Sequence, residues 1–201
     1  MPNSVHPTKQ LLIKTALELM ETKLPTEIAV DEILTNSGIS KGSLYHHFED
    51  LAELLETAQV EKYAQWVDRS IEQLIAVVGN SSTIHDFEKG LIQVTRVTQS
   101  NDYADTRYMR ARTIANSVQS ERFKKALADV QAHLTDALED IIREADEKGF
   151  LQDGTDHRAT AVFIQSYTLG KIVDDVVGND LNSEKWNLMI DKLMRNVFLK
   201  Y

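Results

Sequence analysis

The sequence contains no cysteine, which excludes a disulfide framework, a thiolate zinc site and a cysteine nucleophile. Long hydrophobic runs are also missing, because no stretch approaches the roughly 18 consecutive apolar residues of a membrane-spanning helix. Residues 1–7 have neither the basic segment nor the apolar segment of a secretion signal. These absences predict a cytoplasmic protein that does not enter a membrane.

Basic charge is scarce as well. The 201 residues include 22 Lys and Arg against 31 Asp and Glu, a formal net charge of −9 at pH 7. Residues 1–62 contain five Lys, no Arg and ten acidic residues, so this part alone has a net charge of −5. Because attraction to phosphates supplies most of the non-specific affinity for DNA, net charge taken alone argues against a nucleic-acid-binding protein.

Proline is confined to positions 2, 7 and 25, so residues 26–201 contain none. An antiparallel sheet with many turns rarely lacks proline over such a length. Apolar residues instead recur at spacings of three and four, which predicts an all-α protein of about nine helices, one of them continuous over 156–177. Short helices give way to long ones near residue 50, which predicts an N-terminal domain over 1–49 and a second domain over 50–201.

The most informative segment is residues 30–48, VDEILTNSGISKGSLYHHF. It predicts two short helices joined by a turn at Gly38, where glycine can adopt a positive φ. Ser40 can cap the second helix by accepting a hydrogen bond from the Ser43 amide. This arrangement is a helix-turn-helix, whose second helix enters the major groove of DNA by its N-terminal end.

This segment resembles the tetracycline-repressor (TetR) family of bacterial transcription regulators. The resemblance rests on Ile33, Gly38, Ile39, Ser40, Gly42, Ser43, Leu44, Tyr45, His47 and Phe48, preceded by Ile13, Ala16 and Met20 in the first helix. It implies a homodimer with an N-terminal three-helix DNA-binding head and a C-terminal helical body that binds a ligand and dimerises. The predicted DNA-binding residues are Lys9, Ser40, Lys41, Gly42, Ser43, Tyr45, His46 and His47.

Two positions depart from the family pattern. Leu51 stands where members commonly carry a lysine that contacts a phosphate, and Ala29 stands where a threonine usually caps the second helix. The head can still bind DNA if Lys9 and Lys41 face it. We therefore expect the acidic side chains of the head to face away from DNA.

Other interpretations fit parts of the sequence. Residues 38–42, GISKG, match the G-x-S-x-G nucleophile elbow of serine hydrolases, which needs a strand before the serine. The predicted helix at that place argues against an enzyme. The acidic head and Leu51 also fit a helical small-molecule-binding or adaptor protein whose head contacts protein rather than DNA. No two histidines are three or four residues apart, so we expect no metal and no other cofactor.

The body contains a local excess of basic residues between positions 105 and 125. Either Arg110 or Arg112 binds an anionic effector, or these side chains form a solvated face paired with neighbouring acids. His133 is expected either in the core or against a ligand. The predicted ligand-pocket residues are Trp66, Phe87, Tyr103, Tyr108, Arg110, Arg112, His133 and Tyr167.

The last two helices carry more apolar residues than one helix pair must bury. Two copies of the chain could bury the surplus in a four-helix bundle, with Gly170 permitting close approach. The predicted dimer-interface residues are Phe163, Gly170, Val173, Val177, Trp186, Ile190, Leu193, Met194 and Val197. Together these features predict a ligand-responsive repressor that binds a palindromic DNA operator as a homodimer and is released by a small-molecule effector.

Overall fold

The computed structural model describes residues 6–178 and 180–201. Residues 1–5, whose sequence is unlike a secretion signal, and Asn179 lie outside the described residues. The described helices are α1 (Pro7–Leu19), α2 (Val30–Ser37), α3 (Lys41–His47), α4 (Leu51–Gly79), α5 (Ile84–Thr98), α6 (Ala104–Ser117), α7 (Glu121–Glu147), α8 (His157–Gly170), α9 (Ile172–Asp175) and α10 (Ser183–Leu193). Short 3₁₀ turns cover Pro25–Glu27 and Asn101–Tyr103, and a π-helical segment covers Met194–Phe198. The predicted all-α fold is confirmed.

Local capping signals set the starts of the long helices. Asp50 caps α4, Thr83 caps α5 and Ser120 caps α7, each by accepting from the amide three residues further on. After α7, Gly149 has a φ of +78°, a left-handed conformation that glycine adopts without steric cost. Most helix boundaries therefore follow from side chains at the boundary itself.

The expected continuous helix over 156–177 is wrong. The α-helix is interrupted at Lys171, a turn residue that separates α8 from the single-turn helix α9. Lys171 and Asp175 are both buried there and form an ion pair with Nζ–Oδ1 of 3.2 Å. Asp175 also pairs with the buried Arg107 of α6. The long-range Arg107–Asp175 pair fixes α9 against α6, a constraint that apolar periodicity does not reveal.

Two apolar clusters form the core. The N-terminal cluster consists of Leu12, Ile13, Ala16, Ile28, Ile33, Leu44, Phe48, Leu54, Leu55 and Ala58. The body cluster includes residues of α4 from Tyr63 onward and residues of α5, α7 and α8. Helix α4 therefore contributes to both clusters, and the domain boundary at residue 50 stays a prediction. Within the described ranges, no helix is long and apolar enough to cross a bilayer.

Candidate nucleic-acid interface and internal cavity

Helices α2 and α3 are joined by a tight turn. Gly38 has a φ of +67°, and its amide donates to the Leu34 carbonyl at 3.0 Å. The Ser40 hydroxyl accepts from the Ser43 amide at 3.2 Å and so caps α3. Because a helix precedes this turn, no strand delivers Ser40 to it, and the nucleophile-elbow interpretation is wrong.

Helix α3 has one buried face and one exposed face. Leu44 and Phe48, four residues apart, are both buried in the N-terminal cluster. The residues that stay exposed or half-exposed are Lys41, Gly42, Ser43, Tyr45, His46 and His47. Ammonium, hydroxyl and imidazole groups can bond phosphates and base edges, so this face has the chemistry of a recognition helix. That these side chains contact DNA stays a prediction.

Lys9 and three histidines gather beside α3. The Lys9 Nζ lies 5.1 Å from the centroid of the Phe48 ring. The ring centroids of His6 and His47 are 4.8 Å apart, and those of His46 and His47 are 5.1 Å apart. Desolvation, followed by the charges of His6, His46 and Lys9, lowers the pKa of His47. The lowered pKa favours the neutral imidazole of His47, which offers one hydrogen-bond donor and one acceptor.

Acidic residues near the junction of α3 and α4 face the body. The Arg122 Nε of α7 donates to Glu56 at 2.8 Å, and its Nη1 donates to Glu49 at 3.3 Å. Its Nη2 lies 3.6 Å from Asp50, and hydrogen bonding to Glu56 raises the pKa of Arg122. Leu51 is half-buried against the N-terminal cluster. Ion pairs therefore connect the head to α7 and offset part of its negative charge.

Arg122→Gln is expected to loosen this connection without unfolding the protein. Because the pairs are partly exposed, the free energy of unfolding should fall by less than about 1 kcal/mol. Amide hydrogen exchange at residues 49–56 should become at least several-fold faster. Arg143→Gln is the matched control, since Arg143 pairs with Glu139 and Asp140 on its own helix. Equal exchange in both variants would show that Arg122 does not restrain the head.

A cavity of about 140 Å³ lies inside the body. Helices α4, α5, α6, α7, α8 and α10 supply its walls, which are mostly aliphatic. Five predicted pocket residues line it: Trp66, Phe87, Tyr103, Arg110 and Tyr167. The structure thus brings together four aromatic side chains and one basic side chain from four α-helices and a 3₁₀ turn, although these residues are up to about a hundred positions apart in sequence.

Three other predicted pocket residues do not line this cavity. Tyr108 is half-buried elsewhere, and Arg112 is exposed. Arg110 and Arg112 are two residues apart, so they point about 200° apart around the helix and only one can face inward. His133 is exposed, with its Nε2 3.7 Å from Asp68 Oδ1, so the expectation that it lies in the core or against a ligand is wrong.

Arg110 has an unusual environment at the cavity wall. It is 2% exposed, and its guanidinium carbon lies 4.1 Å from the centroid of the Trp66 ring. Its Nε is buried and has no acceptor within the described residues. Burial lowers the pKa of Arg110 while the nearby Tyr63 opposes that shift. An arginine titrates far above neutral pH, so the cavity wall carries a buried positive charge.

The predicted dimer face divides into two sets. Phe163, Gly170, Val173, Val177 and Val197 are exposed on the protomer. Ile190, Leu193 and Met194 instead line the cavity, where Ile190 and Met194 are buried within the protomer and Leu193 is half-buried, so the assignment of these three to the dimer interface stays a prediction. Trp186 is half-buried and donates from Nε1 to Gln99 at 2.9 Å. The exposed apolar residues that the sequence reasoning missed are Val162, Val176, Leu188 and Met189.

The helix-turn-helix region and the overall fold are both similar to those of known proteins. Residues 12–58 match the family model described as bacterial regulatory proteins, tetR family. A candidate TetR-family transcriptional regulator from Mesorhizobium loti is 16% identical, covers 96% of this chain and 97% of its own, and has a TM-score of 0.71. A TetR-family regulator from Cytophaga hutchinsonii is 15% identical over 99% of this chain and 100% of its own, with a TM-score of 0.70.

A third similar structure contains a small molecule. It is a candidate transcriptional regulator from Saccharomonospora viridis in complex with choline, 12% identical over 96% of this chain and 98% of its own, with a TM-score of 0.68. No curated protein sequence matches the chain. At these identities the structural likeness establishes the fold, and the family match covers the helix-turn-helix region with the first turns of α4.

Proposed function

We propose that this chain is a TetR-family, ligand-responsive transcriptional repressor of the cytoplasm, because residues 12–58 match the family model and the whole chain has the fold of solved TetR-family regulators. It binds a palindromic DNA operator as a homodimer, through the exposed face of α3 together with Lys9. A small molecule that occupies the body cavity releases it from DNA. TetR-family regulators are non-enzymatic DNA-binding transcription factors, and helix α2 precedes Ser40 where a hydrolase would need a strand.

The observation that carries this proposal is the continuity of α4 between the recognition head and the cavity. Leu54 and Ala58 of α4 lie in the N-terminal cluster, whereas Trp66 and Val78 of the same helix line the cavity. A 29-residue helix is about 43 Å long and moves as a rigid element. A ligand that shifts its cavity end therefore changes the position of α3.

In a dimer, movement of α3 changes the distance between the two heads. The α3 helices of a dimer must lie about 34 to 36 Å apart, or a multiple of that distance, to enter successive major grooves. A ligand can bind more tightly to a dimer whose heads have another spacing than to the dimer that fits the operator. The difference between these two binding free energies is the amount by which the ligand weakens operator binding. The S. viridis regulator in complex with choline supports ligand binding by a protein of this fold.

Selection of genomic DNA fragments by the purified chain tests the proposal. Enrichment of one palindrome, with half-sites about one helical turn apart, is the expected result. Absence of any enriched sequence at low salt would contradict it and favour an adaptor whose head contacts protein. Contacts to phosphate strengthen as salt falls, so low salt gives DNA binding its best chance.

Lys41→Ala and Tyr45→Ala are each expected to weaken binding to the selected operator about tenfold or more. Each side chain is exposed at the α3 face, and loss of one good contact to a base or phosphate typically costs about 1–3 kcal/mol. Gel-shift titration at fixed salt measures the effect. Lys89→Ala, which removes an exposed charge from α5, is the control and should leave affinity unchanged. Unchanged affinity in both α3 variants would rule out this face.

A further inference from the structure

We propose that the cavity takes a small amphipathic carboxylate, whose carboxylate binds Arg110 and whose apolar part points toward the aliphatic end. This inference rests on the proposed function, since it names the chemical class of the effector. Four observations support it: the charge balance at Arg110, the donors beside it, the apolar opposite end, and the size of the cavity.

The charge balance points to an anion. In the part of the chain that the structure describes, no carboxylate lies within 4.0 Å of the Arg110 guanidinium. Burying an ionised group without a counter-charge is costly, so proteins normally pair such groups. Arg107, one turn earlier on α6, shows the normal case because its guanidinium is paired with Asp175. Arg110 instead faces the cavity with an aromatic ring as its neighbour.

A second donor lies beside Arg110. The Tyr103 hydroxyl accepts from Trp66 Nε1 at 2.8 Å, and both residues line the cavity. The hydroxyl hydrogen has no acceptor in the described ranges, so it can donate to an incoming group. A carboxylate accepts through two oxygens and can bind a guanidinium and a hydroxyl together. An ammonium group offers no acceptor to these donors, and a neutral hydroxyl can accept from both but brings no charge to offset that of Arg110.

The opposite end of the cavity is apolar. Trp66 and Val78 are twelve residues apart on α4, which places them about 18 Å apart along the helix axis. Phe87, Leu151 and Leu199 join Val78 at that far end, where polar side chains are few. The cavity therefore has a polar end at Arg110 and an apolar end at Val78, which is the polarity of an amphipathic ligand.

The size of the cavity limits the apolar part. A cavity of about 150 Å³ holds a molecule as large as benzene. The present cavity of about 140 Å³ therefore accommodates a single ring or a chain of six to eight carbons. A quaternary ammonium such as choline fits this size but not the charge, because Arg110 would repel it. The geometry favours a medium-chain or aromatic monocarboxylate.

Calorimetric titration of the full chain, without DNA, with octanoate, 1-octanol and octylammonium tests the inference. The three probes share a chain of eight carbons and differ in the charge of the head group. Octanoate should bind at least tenfold more tightly than 1-octanol, since a hydrogen bond to a charged group is stronger than a neutral one. Octylammonium should bind most weakly. If the wild-type chain bound 1-octanol as tightly as octanoate or more tightly, the inference would be overturned without any variant.

Variants then identify the responsible side chain. Arg110→Met keeps a long apolar side chain and should abolish the preference for octanoate, with 1-octanol affinity unchanged within about threefold. Tyr103→Phe should reduce the preference for octanoate over 1-octanol several-fold. This variant keeps the guanidinium of Arg110 and so tests the site even if Arg110→Met does not fold. Arg112→Met is the matched control and should retain the full preference, because Arg112 is exposed. An octanoate preference that survives Arg110→Met overturns the assignment.

The proposed regulator function and the proposed carboxylate ligand can each be disproved without the other. Titration without DNA reports only on the cavity, and fragment selection without ligand reports only on the head. Selection of a palindrome by a chain that does not prefer octanoate would overturn the effector class and leave the regulator intact. Octanoate binding by a chain that selects no DNA would overturn the regulator and leave the cavity chemistry intact.

Discussion

Arg107→Met is expected to lower the free energy of unfolding by about 3–5 kcal/mol. The Arg107 side chain is fully buried, and its Nη2 donates to Asp175 Oδ1 at 2.7 Å while Nε donates to the other carboxylate oxygen. Its Nη1 and Nη2 also donate to the carbonyls of Thr98 and Ser100, at 2.7 and 3.0 Å. Methionine preserves much of the volume but leaves a buried carboxylate with Lys171 as its remaining cation.

Urea denaturation of the two proteins measures this difference. Arg158→Met is the control, since Arg158 also pairs with two acids but lies on the surface. The control should cost no more than about 1 kcal/mol, because exposed ion pairs are screened by water. Equal midpoints for the Arg107 and Arg158 variants would show that the buried pair contributes little beyond its desolvation cost.

The same ion pair predicts a pH dependence. Hydrogen bonding to Arg107 lowers the pKa of Asp175, against an opposing effect of burial. A carboxyl group with a lowered folded pKa contributes stability above its unfolded value of about 3.9 and loses it as the pH falls through the folded pKa. The stability difference between wild type and Arg107→Met should therefore shrink on acidification below about pH 4. Denaturation between pH 3 and pH 6 measures it, and a constant difference would contradict the mechanism.

The head could be predicted in detail because its signals are local. Gly38, Ser40 and Asp50 each specify a turn or a cap within three or four residues of themselves, and the structure uses each in that role. The spacing of Leu44 and Phe48 also decides which face of α3 is buried. The placement of Arg122 against the acidic residues of the head could not be predicted, since those residues are about 65 to 75 positions apart in sequence.

The body was less predictable for two physical reasons. Helix α6 buries Arg107 and Arg110 where an ordinary helix buries apolar residues, so its apolar periodicity is weak. Helix α10 has apolar side chains on two faces, and periodicity alone does not state which face turns toward the cavity. Ile190 therefore belongs inside the protomer, whereas Leu188 and Met189 remain exposed. Both outcomes depend on partners that are distant in sequence.

Val162→Glu is expected to convert the proposed dimer into a monomer and to abolish its preference for the palindromic operator. Val162 is 50% exposed on α8, on the same side as Phe163, Ser166 and Gly170. A Cβ added at Gly170 would meet nothing within 4 Å in the protomer, so the helix surface is open to close approach there. These residues form an apolar face with small members, which is suited to packing against a second α8.

The two-fold symmetry of the proposed dimer should make the effect of Val162→Glu on dimerisation large. In a two-fold interface every substitution occurs twice, so Val162→Glu places two carboxylates of like charge in the same contact. Burying each without a partner costs several kcal/mol, so the dimer dissociation constant should rise by at least about 100-fold. Sedimentation equilibrium over a range of protein concentrations measures this constant. Ile75→Glu, at a comparably exposed apolar position on α4, is the control and should remain dimeric.

A monomeric variant should also lose tight binding to the palindromic operator. A single head makes half of the operator contacts and has few basic residues to compensate, since residues 1–62 have a net charge of −5. The Val162→Glu monomer should therefore bind the selected palindrome and a lone half-site with equally weak affinity, whereas the wild type should strongly prefer the palindrome. If the monomeric variant retained that preference, the two heads would not be coupled through α8, and the dimer would have to form through another surface.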